Sequence, residues 1–508
     1  MTTSVRDSDT LTRDALAVLQ PGFTGTSAPA WLLRRLDEGL ASVGLFGRNI
    51  DSPEQLTILT EQLREVRPDV LVAIDEEGGD VTRLEARSGS SFPGNLALGH
   101  IDDPGLTRAV AHELGRRLAA AGVNLNWAPS ADVNSNPDNP VIGVRSFGGD
   151  PELVARHTVA YVEGLQAAGV AACVKHFPGH GDTAVDSHHA VPRIDADLAT
   201  LRSRELVPFK AAVRAGSKCV MSAHILLPAL DEARPGTLSP AALTGLLRAP
   251  ESEGGLGHQG LIVTDGMEMQ AISANWGLER GSVLALAAGA DAICVGGGLA
   301  GEDTVLRLRD ALVTAVRDGE LTEERLADAA ARVRALAEWT RSARRSETGG
   351  PTGPALRSDP GIGVAAARRA LVITGLEGYT RPTGPLFVAA LTPLANIAVG
   401  DETPWGPAAE LERMVPGTRT ATYGSTDDDA GAAILAAAGE RPVVAVVRDL
   451  HRHPWMAAAV DKLVAARADT VVVEMGVPQA PPRGALHVAT HGAARVCGRA
   501  AAEVIAGG

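Results

Sequence analysis

The chain has 508 residues, 45% of them hydrophobic and 21% charged; this exceeds one ordinary domain and excludes wholesale disorder. A formal net charge of -14 argues against nucleic acid and membrane partners and leaves small molecules. The first residues lack the basic and apolar regions of a secretory leader, and no window has the apolar length of a membrane span, so a cytoplasmic enzyme is expected.

In chain order, short apolar runs alternate with longer amphipathic ones. Strands are expected at 41–47 ("ASVGLFG"), 70–75 ("VLVAID"), 123–129 ("VNLNWAP"), 171–177 ("AACVKHF"), 218–225 ("KCVMSAHI"), 261–266 ("LIVTDG") and 291–297 ("DAICVGG"). Each is continuously apolar, as parallel strands buried on both faces are. Between the first two, "SPEQLTILTEQLREV" predicts a helix with Ser52 as N-cap, Pro53 at its first position and Gln55 completing a capping box. Leu56, Leu59, Leu63 and Val66 would line its inner face. Repetition of this unit over roughly 340 residues predicts a TIM-type (β/α)8 barrel, with one strand poorly signalled. A doubly wound open sheet is the alternative. Residues 346–360, rich in Gly, Pro and Ser, read as a linker, and 361–508 as a smaller α/β sandwich domain. Its "DLHRHPW" (449–455) reads as a polar turn. Cys173, Cys219, Cys294 and Cys497 have no CxxC spacing and read as buried free thiols.

Several expected strands end in ionisable residues: Asp75, Lys175 with His176, His224 and Asp265. In a barrel of this type such ends converge on one face. The densest run is "KHFPGHGDTAVDSHH" (175–189). There Asp186 stands two residues before His188, where a carboxylate can accept the ring N–H and tune an imidazole for proton transfer. A metal site on His176, His180, His188 and Asp186 is the competing reading, and a solvated loop the bland one. Asp265, after "LIVT", could attack an electrophilic carbon or simply cap the next helix. Arg83 follows a Gly-Gly turn and Arg145 closes a long polar loop. "CVGGG" (294–298) lacks both phosphate-loop patterns and reads as a tight turn.

Taken together, "KHFPGHG" followed by "DSH", "AIDEEGG", "NPVIGVRSFG" and "VTDGMEM" resemble glycoside hydrolase family 3, in its β-N-acetylglucosaminidase branch. The resemblance covers about residues 10–345, and the tail is similar to the sandwich domain of longer members. It implies a retaining exo-β-N-acetylglucosaminidase (β-hexosaminidase) that removes terminal N-acetyl-glucosamine from cell-wall or chitin-derived fragments. Asp265 takes the nucleophile's place, His188 with Asp186 that of an acid/base dyad, and Asp75, Arg83, Arg145, Lys175 and His176 those of residues holding the sugar. It implies no cofactor and no metal. Because a histidine acid/base does not repel phosphate, a phosphorylase releasing GlcNAc 1-phosphate is the alternative. A metal-dependent hydrolase and a non-catalytic sugar-binding protein stand further off. β-Glucosidases of the same family generally lack the D-S-H loop. Asp80 departs from the family pattern, where a basic or polar residue is usual.

Overall fold

The computed structural model describes residues 8–183, 191–297, 301–347, 358–393, 403–427 and 429–507. These form two compact units, and both are discontinuous in sequence. The first comprises residues up to 76, 107–133 and 149–358, the second 77–106, 134–148 and 359 onward.

The first unit contains eight short strands: β1 (Leu19–Pro21), β2 (Ser42–Leu45), β3 (Leu71–Ile74), β4 (Leu125–Asn126), β5 (Ala171–Phe177), β6 (Cys219–Ser222), β7 (Leu261–Thr264) and β8 (Ile293–Val295). β2 to β7 form one parallel sheet in chain order, and β8 pairs with β1 in parallel. A bridge between Val263 and Ala292 carries the order from β7 to β8, and the Ser42 hydroxyl donates to the Leu19 carbonyl at 3.1 Å between β2 and β1. The strands thus follow one another around a TIM-type (β/α)8 arrangement rather than an open sheet. Every residue of the eight strands is buried, which accounts for the largely apolar character of those after β1.

β1 is the strand that the sequence signals poorly. Gln20 and Pro21 interrupt its apolar run, and proline removes a ladder donor. It ends at Gly22, where a Cβ would lie 2.8 Å from the Phe46 ring and 3.0 Å from the Gly296 backbone. The helix Pro53–Val66 has the expected cap: the Ser52 hydroxyl accepts from the Gln55 N–H at 3.1 Å. Gln55 reaches one residue further back than a capping box requires, accepting from the Asp51 N–H at 2.8 Å. Leu56, Leu59 and Leu63 are buried, while Val66, at the last position, is half-buried.

The second unit is built on a six-stranded sheet. Its strands are β9 (Val372–Thr374), β10 (Phe387–Leu391), β11 (Arg419–Tyr423), β12 (Val443–Val447), β13 (Val471–Glu474) and β14 (Leu486–Ala489). The spatial order is β11-β10-β12-β13-β14-β9, parallel except for β9 against β14. Successive side chains leave opposite faces of a strand. Val444 and Val446 accordingly join the cluster containing the helix Arg495–Ala506, whereas Val443, Ala445 and Val447 pack with the helices Ala430–Ala438 and Pro454–Ala466. The result is an α/β sandwich.

All four cysteines are free and buried. Burial pushes the Cys173, Cys294 and Cys497 thiols well up from their ordinary value. Among the described residues, no helix is long and apolar enough to cross a membrane.

Candidate active site

In the first unit, polar residues gather where the barrel strands end. Asp75 follows β3, and its Oδ1 pairs with Nζ of Lys175 on β5. The Lys175 side chain is 2% exposed, and a buried ammonium requires such a partner. His176, next along β5, points its Nδ1 at Oδ2 of Asp132, 2.7 Å away. The Oδ1 of Asp132 accepts from the backbone N–H groups of His176 at 3.2 Å and His180 at 2.7 Å. Burial opposes ionisation of Asp132. The two histidines and these hydrogen bonds outweigh it and hold the carboxyl well below the usual range. An ionised carboxylate only accepts, so His176 Nδ1 carries the proton.

Burial, followed by the proximity of His176, lowers His180 to about 4. Its Nδ1 lies 2.6 Å from the Thr183 hydroxyl.

Asp265 follows β7 and is half-buried. Its N–H donates to the Ser222 carbonyl at 3.1 Å, and its Oδ1 accepts from the Gly266 N–H at 2.7 Å. The Gly266 carbonyl is held in turn by His224, whose Nε2 is 3.0 Å away. A carbonyl cannot donate, so Nε2 bears a proton, and Nδ1 lies 2.9 Å from the Thr237 hydroxyl. The Thr237 and Ser222 hydroxyls share a further hydrogen bond, also at 2.9 Å. This relay fixes the turn that aims Asp265. The fields of Glu268, Asp265 and Asp75 all reach the Cys294 thiol, and that of Asp265 reaches His180. The strand-end carboxylates therefore share one region of the unit.

In "CVGGG", the N–H groups of Gly296 and Gly297 both turn to a carboxylate. The Gly296 N–H donates to Glu268 Oε1 at 3.1 Å, and the Gly297 N–H donates to the same oxygen.

The second unit contains Arg83 and Arg145. Glu77 grips Arg145 at two points, 3.0 Å from Nε and 2.7 Å from Nη2, and both side chains are buried. Such a two-point pair fixes the guanidinium plane. Arg83 is half-buried beyond the Gly78–Gly79 turn. Gly79 has φ +66°, and a Cβ there would sit 2.4 Å from the Gly94 Cα, so no larger residue fits. Asp80 accepts from the Ala493 N–H at 2.7 Å and pairs with Arg448.

Asp186 and His188 lie outside the described residues. Among the described residues, no group of three or more His, Cys, Asp or Glu side chains is arranged to hold a metal ion. Sequence reasoning missed Asp132, Glu77 and the Ser222–Thr237–His224 relay. Glu77 stands inside "AIDEEGG" and Asp132 in the polar loop that Arg145 closes, but no local spacing links either to its partner.

A profile of the glycosyl hydrolase family 3 N-terminal domain matches residues 30–336. The β-hexosaminidase A of Pseudoalteromonas piscicida is 36% identical over 330 residues, 60% of this chain; the chain spans about half, 54%, of that relative's length. The β-hexosaminidase of Alkalilimnicola ehrlichii is 36% identical over 260 residues, covering 50% of this chain and 73% of that one. Among solved structures, a glycoside hydrolase family 3 β-N-acetylglucosaminidase from Paenibacillus sp. str. FPU-7 superposes with a TM-score of 0.85 at 33% identity, over 98% of this chain and 96% of the other. Parallel strands in a (β/α)8 order, ionisable groups at their ends and a matching profile over more than half the sequence place this chain in glycosyl hydrolase family 3.

Proposed function

We propose that the chain is a retaining exo-β-N-acetylglucosaminidase acting on terminal β-linked GlcNAc of cell-wall or chitin-derived fragments. The observation that carries the reading is Asp265: a half-buried carboxylate at the end of β7, with one oxygen held by the Gly266 N–H and its turn locked by His224. A nucleophile needs that fixed aim. Its carboxylate attacks the anomeric carbon as the leaving oxygen takes a proton from His188, which Asp186 orients. His188 then activates the acceptor that releases the sugar. Asp75, Lys175, His176, Arg83 and Arg145 hold the hydroxyls and the N-acetyl group. No cofactor or metal enters this scheme. Catalysis is assigned to residues 1–345, with 346–360 as linker and 361–508 as the smaller domain. A cytoplasmic setting belongs to the same proposal.

The second reading replaces water by phosphate as acceptor, and the histidine of the D-S-H loop favours it because a neutral imidazole does not repel an anion. Release of p-nitrophenol from p-nitrophenyl N-acetyl-β-D-glucosaminide, with and without phosphate, tests both. Turnover in phosphate-free buffer that disappears in Asp265→Ala is the expected result. A large rise with phosphate, with sugar 1-phosphate formed, selects the phosphorylase. Wild-type turnover in Asp265→Ala overturns the assignment.

A further inference from the structure

We propose that Arg452 and His451, on the turn after β12, are positioning residues that set Arg145 for substrate; this rests on the reading of Arg145 as a sugar contact. All the groups involved belong to the second unit.

The turn itself is rigidly held. Asp449 is left-handed at φ +54°. The Glu474 carboxyl group accepts from the N–H groups of Asp449 at 2.9 Å, Leu450 at 3.0 Å and Gly476 at 2.7 Å. Asp449 Oδ1 accepts from the Val477 N–H at 2.7 Å. Two side chains leave this platform for the segment 134–148. His451 Nε2 donates to the Pro137 carbonyl at 3.1 Å, and Arg452 Nη1 donates to the Asn139 carbonyl at 3.3 Å.

Asn139 organises the residues just beyond it. Its Oδ1 accepts from the N–H groups of Val141 and Ile142, each at 2.9 Å. The Val141 carbonyl takes Nη1 of Arg145 at 3.3 Å, and the Ile142 carbonyl takes the Arg145 N–H at 2.8 Å. A connected series of hydrogen bonds therefore runs from Arg452 through Asn139 to both the backbone and the guanidinium of Arg145. Apart from one 3₁₀ turn at Gly143–Arg145, the segment is irregular, with no strand ladder to fix it. Some of its backbone groups are partnered within the segment, as where the Asn134 N–H donates to the Gly148 carbonyl, and the Pro137 and Asn139 carbonyls take donors from the turn after β12. Side chains that hold two of those carbonyls determine where the loop rests, and a shift of about 1 Å at a binding group changes kinetics by up to about 10²-fold.

Steady-state kinetics of the full chain on the p-nitrophenyl substrate test this, with Arg452→Ala, Arg452→Lys and Arg145→Ala compared with wild type. The expected pattern is a KM raised about tenfold in Arg452→Ala, with kcat within about twofold and an unchanged melting temperature. Arg452→Lys keeps one donor and the charge, so it should recover part of the loss; it also serves as the test variant if Arg452→Ala does not fold. A wild-type KM in the Arg452 variants, beside a raised KM in Arg145→Ala, overturns the positioning role and leaves the sugar contact standing. No change in Arg145→Ala removes the reading beneath it. Parallel loss of kcat and melting temperature in Arg452→Ala, with no recovery by Lys, makes Arg452 merely structural and also overturns the proposal.

Discussion

Asp132 lies 44 residues before His176 in sequence, yet its Oδ2 stands 2.7 Å from that ring's Nδ1 while its Oδ1 gathers the N–H groups of His176 and His180. One buried carboxylate thus fixes a ring orientation and the third residue of the "PGHG" turn together. Both of its oxygens accept, so an amide in its place either sets its NH2 against the backbone N–H groups or turns it to His176 Nδ1, which must then give up its proton and reverse the tautomer of the ring. Asp132→Asn is expected to lower kcat/KM by about 10²-fold. It should also lower stability by about 2 kcal/mol. Substrate kinetics and urea unfolding measure the two separately, and wild-type values in both would sink the assignment. Because the carboxyl lies below its ordinary value of 3.8, its contribution is present above that pH and lost as the pH falls further.

Asp80, which departs from the family pattern, has a structural counterpart in Arg448. The Asp80 side chain is 1% exposed and pairs with Arg448, whose guanidinium also lies 5.2 Å from the centre of the Trp405 ring. Removing one member of such a pair strands the other. Arg448→Met is expected to cost about 3–5 kcal/mol, and Asp80→Asn in the same chain to restore most of it. A double-mutant cycle by chemical denaturation reads the coupling; additive losses would show that the two do not act as a pair.

Glu474 gives a pH signature. Burial pushes it from 4.5 up to about 8, against three backbone donors that favour the charged form. A carboxyl with a raised folded pKa contributes stability that is fully present below about pH 4.5 and declines as the pH rises through about 8. Glu474→Gln cannot ionise, so its unfolding free energy should lack that decline. Parallel pH curves for variant and wild type between pH 4.5 and 8 would refute the shift.

The sequence displays the fold more fully than the site. The runs expected for β2 to β8 each contain the observed strand, because strands buried on both faces must be apolar throughout. β1 escaped because Gln20 and Pro21 fill two of its three positions. In the second unit, "RTATY" (β11) is a half-exposed edge strand without an apolar run, and "LHVA" (β14) is short and broken by His487. Lone residues such as Asp75 and Lys175 attract attention by standing where an apolar run stops, and the structure joins those two directly. Asp132 and Glu77 carry no such mark. Each sits in a polar loop, and its partner is supplied by tertiary folding across 44 and 68 residues.

The buried cysteines allow the opening of the molecule to be followed. Three of them, Cys173, Cys219 and Cys294, lie on barrel strands, while Cys497 lies in the last helix of the second unit. A thiol reagent attacks the thiolate and needs access, so none should react while its surroundings stay closed. In rising denaturant, peptide mapping of the alkylated sites becomes a clock for each unit. Simultaneous labelling of all four would mark a single cooperative opening, whereas early labelling of Cys497 alone would mean that the sandwich opens while the barrel remains intact.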